Sequence, residues 1–166
     1  MNRFSRLKKH LFTTANAAKN TFPESTLKAI EIAIGEGELL HRAEVRLIIE
    51  HSLTAQDILR RITSRQRAID LFSRYRIWDT EENCGVLVYV NLADRKVEII
   101  ADRDVARRVT QVEWDAICKI MTDGFSQKEF RDSSTAAIAQ LNALLQTHYP
   151  ANGTHPNQLP NSPIIL

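Results

Sequence analysis

The feature that most constrains the fold is the stretch 83–104, which is typical of two consecutive β-strands joined by a tight turn. Residues 86–90 (VLVYV) are an unbroken apolar run, as expected of a central strand buried on both faces. Residues 93–96 (ADRK) make a short polar turn, and residues 96–101 make a second strand that ends in Asp102-Arg103-Asp104. Because the link is too short for a crossover, the two strands must be antiparallel. Carboxylates at a strand end are held by a rigid scaffold and face solvent, where functional sites are commonly built.

The remaining segments predict one further strand among helices. Residues 43–50 alternate apolar and charged side chains, which favours a strand. Two short helices separate it from residues 86–90, so these two strands should be parallel, with a right-handed crossover. Capping boxes that begin at Thr110 and Ser126 should each open a C-terminal helix. The sequence therefore predicts an α/β layered sandwich on a small mixed β-sheet of three to four strands flanked by helices.

Length and composition indicate one domain with a real apolar core. The chain has 166 residues, of which 43% are hydrophobic and 25% charged. We expect a basic amphipathic helix over 1–21, the α/β domain over 22–150, and a disordered Pro- and Asn-rich tail over 151–166. Cys84 and Cys118 lie in apolar stretches, which favours buried thiols over a disulfide. No run approaches the roughly 20 apolar residues that span a bilayer.

The charge of the chain is uneven. Residues 1–20 carry five basic and no acidic side chains, so the other residues sum to 2 − 5 = −3. This basic start faintly resembles a signal peptide, but polar residues between positions 13 and 16 interrupt the apolar core that one needs. We therefore expect an uncleaved, cytoplasmic protein.

The basic segment also carries an apolar stripe. Phe4, Leu7 and Leu11 are spaced i, i+3, i+7, which predicts a short amphipathic helix. We expect this stripe to lie on the core of the domain. A membrane-surface helix or a partner-binding helix is the alternative.

Topology groups several acidic residues at one end of the sheet. If the first two strands are parallel, both begin at the end where the antiparallel third strand finishes. Glu44 begins the first strand, Asp79 precedes the second, and Asp102 and Asp104 follow the third. Oxygen ligands of this kind suit Ca²⁺ or Mg²⁺, so these four carboxylates predict a weak cation site, with Arg103 as a contact for phosphate or another anion. The alternative is a set of surface ion pairs and helix caps.

Trp78 lies in a loop beside this acidic end. We expect it to close the edge of the sheet as a hydrophobic plug. If it is exposed instead, it is a good anchor for a protein partner.

Motifs for catalysis or nucleic-acid binding do not assemble. Asp102-Arg103-Asp104 after an apolar strand imitates an aspartate-nucleophile phosphatase, but position 106 is Ala and only helices follow, so the match is incidental. There is no nucleophile elbow, Walker A loop or His-x-x-x-His pair in the sequence. A basic helical patch over 60–67 lacks any recognition motif, so we do not expect nucleic-acid binding.

The stretch 83–104 resembles the signature of the TPM-domain family, whose typical form is roughly NNGVLIYV-LADR-VEIVADRG. The resemblance continues at 43–46, at 72–81, and at Trp114 and the helical positions beyond it, and it covers about residues 22–150. The chain is most similar to small bacterial members without a signal peptide or membrane span. It departs from the pattern at Asp104, where the family usually has Gly.

The resemblance implies a TPM-like fold and a non-catalytic interaction module. Such a module would act on a membrane-associated or operon-neighbour protein, because better-known members assist photosystem repair or modulate receptors. It also implies divalent-cation binding, since calcium has been associated with TPM domains. The alternative that it implies is a weak metal-dependent acid phosphatase, because such activity has been attributed to a plant member.

Overall fold

The computed structural model describes residues 3–153 and 156–166, apart from the side chains of Arg3, Phe4 and Ala15. The elements follow one another as α1 (Arg3–Phe12), α2 (Ala15–Thr21), α3 (Glu24–Glu38), β1 (Glu44–Glu50), α4 (Ala55–Leu59), α5 (Ser64–Arg74), β2 (Gly85–Asn91), β3 (Lys96–Ala101), α6 (Arg103–Arg108), α7 (Gln111–Ser126), α8 (Phe130–His148) and β4 (Ile164–Ile165).

The four strands form one mixed sheet in the order β3-β2-β1-β4. β1 and β2 are parallel, with Glu44 opposite Gly85, and β2 and β3 are antiparallel, with Val86 opposite Ala101. Both predicted pairings and the α/β layered fold are therefore confirmed. The start of β1, the start of β2 and the finish of β3 meet at one end of the sheet, which we call the acidic end. The other end, where β1 and β2 finish, is the carboxyl end.

Helices cover the sheet on both faces, and the main core lies under α3, α7 and α8. Val45 and Leu47 of β1 point into this core, whereas Ile48 faces a smaller cluster beneath α5. Every residue of β2 is buried. This strand therefore holds the central, doubly covered position that its unbroken apolar run predicts.

Helix starts follow the local capping chemistry in most cases. Thr63 and Thr110 each complete a reciprocal capping box, with Gln66 and Glu113 respectively. The predicted capping box at Ser126 is wrong, because α7 continues through that residue and α8 begins only at Phe130.

Asp104 requires no special backbone geometry. It lies within the first turn of α6 and is not among the residues with positive φ. The usual glycine of the family can therefore be replaced here without strain.

Gly85 is different, because a Cβ atom built on it would lie 1.8 Å from the carbonyl oxygen of Ile77. Only glycine lets residue 77 cross so close to the start of β2.

The N-terminal segment consists of two helices rather than one. The expected apolar packing of α1 is wrong for Leu11, which is 65% exposed, and Phe12 beside it is 81% exposed. Leu7 is half-buried, and the side chain of Phe4 lies outside the described residues. Polar contacts hold α1 instead, because the side of the helix that faces the domain carries Arg6 and His10, as described below.

The prediction of a disordered tail is wrong for residues 164–166. β4 lies parallel to β1, and the Leu166 amide donates to the Ile49 carbonyl over 2.8 Å. This short apolar strand pairs with Ile48 and Ile49 and so covers the edge of β1 near its C-terminal end. The apolar run is too short to give a periodic signal. The domain boundaries at residues 21 and 150 stay predictions.

Candidate functional site

The backbone brings the predicted acidic segments together. The Asp102 amide donates to the Gly85 carbonyl over 2.9 Å, which ties the end of β3 to the start of β2. Glu44 is directly opposite Gly85 across the parallel pair. The predicted convergence of three segments at this end is therefore confirmed for the backbone.

Two of the four predicted ligands have basic partners of their own. The Asp79 carboxylate lies 2.6 Å from the Arg76 guanidinium. Asp104 accepts a hydrogen bond from the Tyr149 hydroxyl over 2.7 Å and lies 3.1 Å from Arg108. The Tyr149 hydrogen bond, followed by that of Arg108, lowers the pKa of Asp104. Both carboxylates are thus neutralised within the chain.

The other two predicted ligands are buried to different extents. Glu44 is 2% exposed, and its Oε2 accepts from the Leu159 amide over 2.9 Å. Asp102 caps α6, with Oδ1 accepting from the Arg103 amide over 2.6 Å. Its Oδ2 is buried and has no hydrogen-bond partner in the described part of the chain.

The side chains are therefore not gathered into one coordination shell. Within residues 3–153 and 156–166, no three His, Cys, Asp or Glu side chains are grouped so that they could hold a metal ion. Arg103 is exposed, and its guanidinium makes no ion pair with any described residue. Cation binding by Glu44, Asp79, Asp102 and Asp104 stays a prediction.

Glu38 is a buried carboxylate that our sequence reasoning missed. It lies at the end of α3, is 8% exposed, and accepts from the Val45 amide over 2.9 Å through Oε1. Burial, assisted by the charge of Glu44, raises its pKa to about 8. The sequence does indicate that Glu38 is buried, because position 38 lies four residues after Ile34 and eight after Ile30, on the same apolar face of the helix.

Trp78 is not the predicted plug. It is 48% exposed, whereas the neighbouring Ile77 is fully buried in the smaller cluster beneath α5. The Arg76 guanidinium lies 6.0 Å from the centre of the Trp78 ring. The loop of residues 75–84, here called the Trp78 loop, therefore displays an aromatic side chain at the acidic end.

A buried polar network lies at the carboxyl end. Arg67 donates to both oxygens of Glu50 over 2.6–3.1 Å, and the Tyr89 hydroxyl donates to Glu50 over 2.5 Å. Asn91 donates to the Tyr89 hydroxyl over 2.9 Å and accepts from the Asp94 amide over 2.9 Å. These bonds fix the β2–β3 turn against the end of β1.

Asp94 holds the N-terminal helix in place. Arg6 donates to both of its carboxylate oxygens, over 3.0 and 2.7 Å, and His10 Nε2 lies 3.1 Å away. The Leu53 amide donates to His10 Nδ1 over 2.8 Å, so we assign the imidazole proton to Nε2, facing Asp94. Burial acts to raise the pKa of Asp94, but the hydrogen bonds from Arg6 and His10 outweigh it and lower that pKa. The sequence alone does not reveal this role of Asp94, because Arg6 and His10 are more than 80 positions away from it.

Both cysteines are free thiols, as the sequence predicts. Cys84 is buried and Cys118 half-buried. Burial raises the pKa of each thiol to about 11. Neither is therefore suited to nucleophilic chemistry near neutral pH.

Comparison with known proteins identifies the family. Residues 16–144 match the family model described as TPM domain. The chain belongs to the TPM-domain family. Its structure is similar to the NMR structure of the BA42 protein from the psychrophilic bacterium Bizionia argentinensis, with a TM-score of 0.75 and 25% sequence identity. That similarity covers 85% of this chain and 92% of BA42, and no curated protein matches the chain in sequence.

In this TPM-domain protein, none of the helices within the described ranges has both the length and the apolar character that a bilayer span requires.

Proposed function

We propose that this TPM-domain protein is a non-catalytic interaction module that binds a protein partner through the Trp78 loop. The observation that carries the proposal is the half-exposed indole of Trp78 at the acidic end of the sheet. Exposed tryptophans are costly in water and are strongly enriched among the residues that dominate binding energy at protein interfaces.

Contacts with the rest of the domain and within the loop hold the Trp78 loop in place. Ile77 is anchored in the core, and the Cys84 amide donates to the Thr80 hydroxyl over 3.0 Å. The Asp79 amide donates to the Arg76 carbonyl, which closes a turn directly beneath Trp78. A preorganised loop loses little conformational entropy on binding, so more of the contact energy contributes to affinity.

Charge suggests the kind of partner. The Trp78 loop contains one basic and three acidic residues. Asp79 pairs with Arg76 and Glu82 with Arg42, so Glu81 is the acidic side chain of the loop that has no ion pair among the described residues. A partner that fits the loop would offer an apolar pocket for the indole with a basic side chain beside it, facing Glu81. In line with the family resemblance, we propose that this partner is membrane-associated. The cytoplasmic location of the protein itself stays a prediction.

The partner proposal is tested by quantitative co-purification. Wild-type protein and Trp78→Ala are used as baits against detergent-solubilised membranes and against the soluble fraction of the source cells. Ile32→Ala is the matched control, because Ile32 is 49% exposed and lies on α3, outside the Trp78 loop. We expect specific partners to be recovered from membranes by wild type and Ile32→Ala and lost with Trp78→Ala. Equal recovery by all three baits would refute the role of Trp78.

We further propose that Ca²⁺ or Mg²⁺ modulates the acidic end. Asp102 supports this, because its buried Oδ2 lacks a hydrogen-bond partner among the described residues. Thermal unfolding with EDTA, Ca²⁺ or Mg²⁺ tests the idea, since a ligand of the folded state must raise its stability. We expect a cation-dependent rise in Tm that is absent in Asp102→Asn. Identical Tm values with and without millimolar cation would refute the proposed cation site.

A metal-dependent phosphatase is the alternative function. It is favoured by the exposed guanidinium of Arg103, which follows Asp102 in the sequence. A metal ion bound by Asp102 and the positive charge of Arg103 could together polarise a phosphate ester. Hydrolysis of p-nitrophenyl phosphate with Mg²⁺ or Ca²⁺ would test it. Activity that is lost in both Asp102→Asn and Arg103→Gln would support the enzyme over the binding module.

A further inference from the structure

A cavity of about 370 Å³ lies at the carboxyl end of the sheet, opposite the Trp78 loop. It is enclosed by α2, the end of β2, the β2–β3 turn and the turn between α7 and α8. The volume falls within the range of about 300–1,000 Å³ that is typical of small-molecule sites. In open α/β sheets, ligands bind outside the carboxyl ends of parallel strands, which is where this cavity lies.

The floor of the cavity is apolar and well packed. Phe125 and Phe130 line it, and Val90 and Ala17 complete its walls. The centres of the two phenylalanine rings lie 5.1 Å apart in a tilted arrangement, and each ring contacts Phe22 edge-on, with centres 5.6–5.7 Å apart. This surface offers an apolar contact to a ligand in the cavity.

The rim of the cavity is cationic. Arg95, Lys96 and Lys128 all line it and are exposed. Their side chains form no ion pair or hydrogen bond with any residue of the described ranges, and no described Asp or Glu lines the cavity. These three charges are thus available to a ligand, in contrast to Arg6 and Arg67 nearby, which are fully engaged.

Two of these cations lie at strained backbone positions. Arg95 has a φ of 54° and Lys128 a φ of 67°. Asparagine and glycine adopt this left-handed region more readily than long side chains do. Arg61 and Arg76, which do not line the cavity, also have positive φ, so this conformation does not itself mark a site. It does decide which substitutions the backbone tolerates at Arg95 and Lys128.

We propose that this cavity binds a monomeric single-chain anionic amphiphile of the fatty-acid type. The acyl chain lies against Phe125 and Phe130, and the carboxylate lies at the rim beside Arg95 and Lys128. An inorganic anion would leave the apolar floor unused, and a neutral apolar molecule would leave the three cations uncompensated. One molecule with an anionic head and an apolar tail pairs with the cations of the rim and also covers the apolar floor.

A neighbouring surface favours the approach of such a ligand. An open depression of about 740 Å³ shares Thr13, Leu92 and Arg95 with the cavity and adds Lys8 and Lys9. The resulting basic surface attracts anions over several ångströms and raises their local concentration at the cavity mouth.

The test is a calorimetric titration of the full chain with decanoate below its micelle concentration. Acetate provides the head alone, and decyltrimethylammonium provides the tail with the opposite charge. The double variant Arg95→Asn/Lys128→Asn removes two cations while keeping a residue that tolerates positive φ. Arg61→Asn is the matched control, because Arg61 is exposed, has a φ of 61°, and does not line the cavity. Ala17→Leu fills the cavity without changing any charge.

We expect saturable binding of decanoate that is at least about tenfold weaker in the double variant and in Ala17→Leu, and unchanged within about twofold in Arg61→Asn. The circular dichroism of each variant checks that it is folded. If Ala17→Leu does not fold, the comparison of the charge variants with wild type still decides the test.

Four results would overturn the proposal. They are no binding of decanoate, equal binding of acetate, equal binding of decyltrimethylammonium, and an equal loss in Arg61→Asn. Anionic vesicles form a further arm: binding to vesicles without binding of monomeric decanoate would mean that this end adsorbs to membranes, and the cavity site would be wrong. None of these results bears on Trp78, so this proposal and the proposed function can fail independently.

Discussion

Replacing Asp94 by alanine should loosen the N-terminal helix and destabilise the whole domain. Asp94 is the only described carboxylate that contacts Arg6 and His10, and the side chains of the three residues are 8%, 18% and 1% exposed. Without Asp94, the Nε2–H of the buried His10 has no acceptor, which costs about 1–3 kcal/mol. Removing one partner of a fully buried ion pair costs about 3–5 kcal/mol.

The cost for Arg6 should be smaller than that of a fully buried charge. Its guanidinium also donates to the Ile62 carbonyl over 2.8 Å, and its partial exposure lets water replace part of the lost ion pair. We therefore expect the free energy of unfolding to fall by about 2–4 kcal/mol in Asp94→Ala, with part of the loss expressed as undocking of α1.

Urea denaturation followed by circular dichroism measures this loss. Asp123→Ala is the control, because the Asp123–Lys119 pair is exposed and should contribute only about 0–1 kcal/mol. Limited trypsin digestion reports on α1: Lys8 and Lys9 are already exposed, but the bonds after them become cleavable only when the undocked helix unwinds. If Asp94→Ala and Asp123→Ala unfold at the same urea concentration and digest at the same rate, Asp94 does not anchor the helix.

The pH dependence of the same variant provides an independent check. The pKa of Asp94 is held below its ordinary value of 3.8 in the folded protein. A lowered folded-state pKa stabilises the fold above the unfolded-state pKa, and that stabilisation is lost as the pH falls through the folded-state pKa. The stability difference between wild type and Asp94→Ala should therefore be full at pH 6 and shrink below about pH 4.

Three further predictions follow from buried groups. Gly85→Ala should cost about 3 kcal/mol or prevent folding, because its Cβ would collide with the Ile77 carbonyl; wild-type stability in urea denaturation would contradict the close approach. Glu38 has a folded-state pKa of about 8 against an ordinary value of 4.5, so its ionisation destabilises the fold as the pH rises between these values. Glu38→Gln should therefore be more stable than wild type at pH 9 by about 1 kcal/mol or more, with the advantage vanishing at pH 4, and a difference that does not vary with pH would refute the assignment. Cys84 and Cys118, whose thiol pKa values are raised to about 11, should react with iodoacetamide at pH 8 far more slowly than in urea-unfolded protein, as followed by mass spectrometry.

The sequence by itself determined the β2–β3 hairpin, the parallel pairing of β1 with β2, and the end of the sheet at which the acidic segments meet. These features depend on short-range information. An unbroken apolar run fixes a central strand, and a four-residue link forces an antiparallel neighbour. The presence of two helices between strands then requires a parallel crossover. The family signature lies within the same stretch for the same reason.

Only the tertiary structure decided which side chains meet. Arg6 and Asp94 are 88 positions apart, and Glu44 is separated by 115 positions from the Leu159 amide that binds it. Sequence spacing does not encode such pairs, because they depend on how helices are placed over the sheet. Which of the neighbours Ile77 and Trp78 is buried and which is exposed depends on a single turn of the backbone. The basic rim of the cavity likewise combines Arg95 of a hairpin with Lys128 of a helix turn, and only the packing of α7 and α8 on the sheet brings their two segments to one cavity.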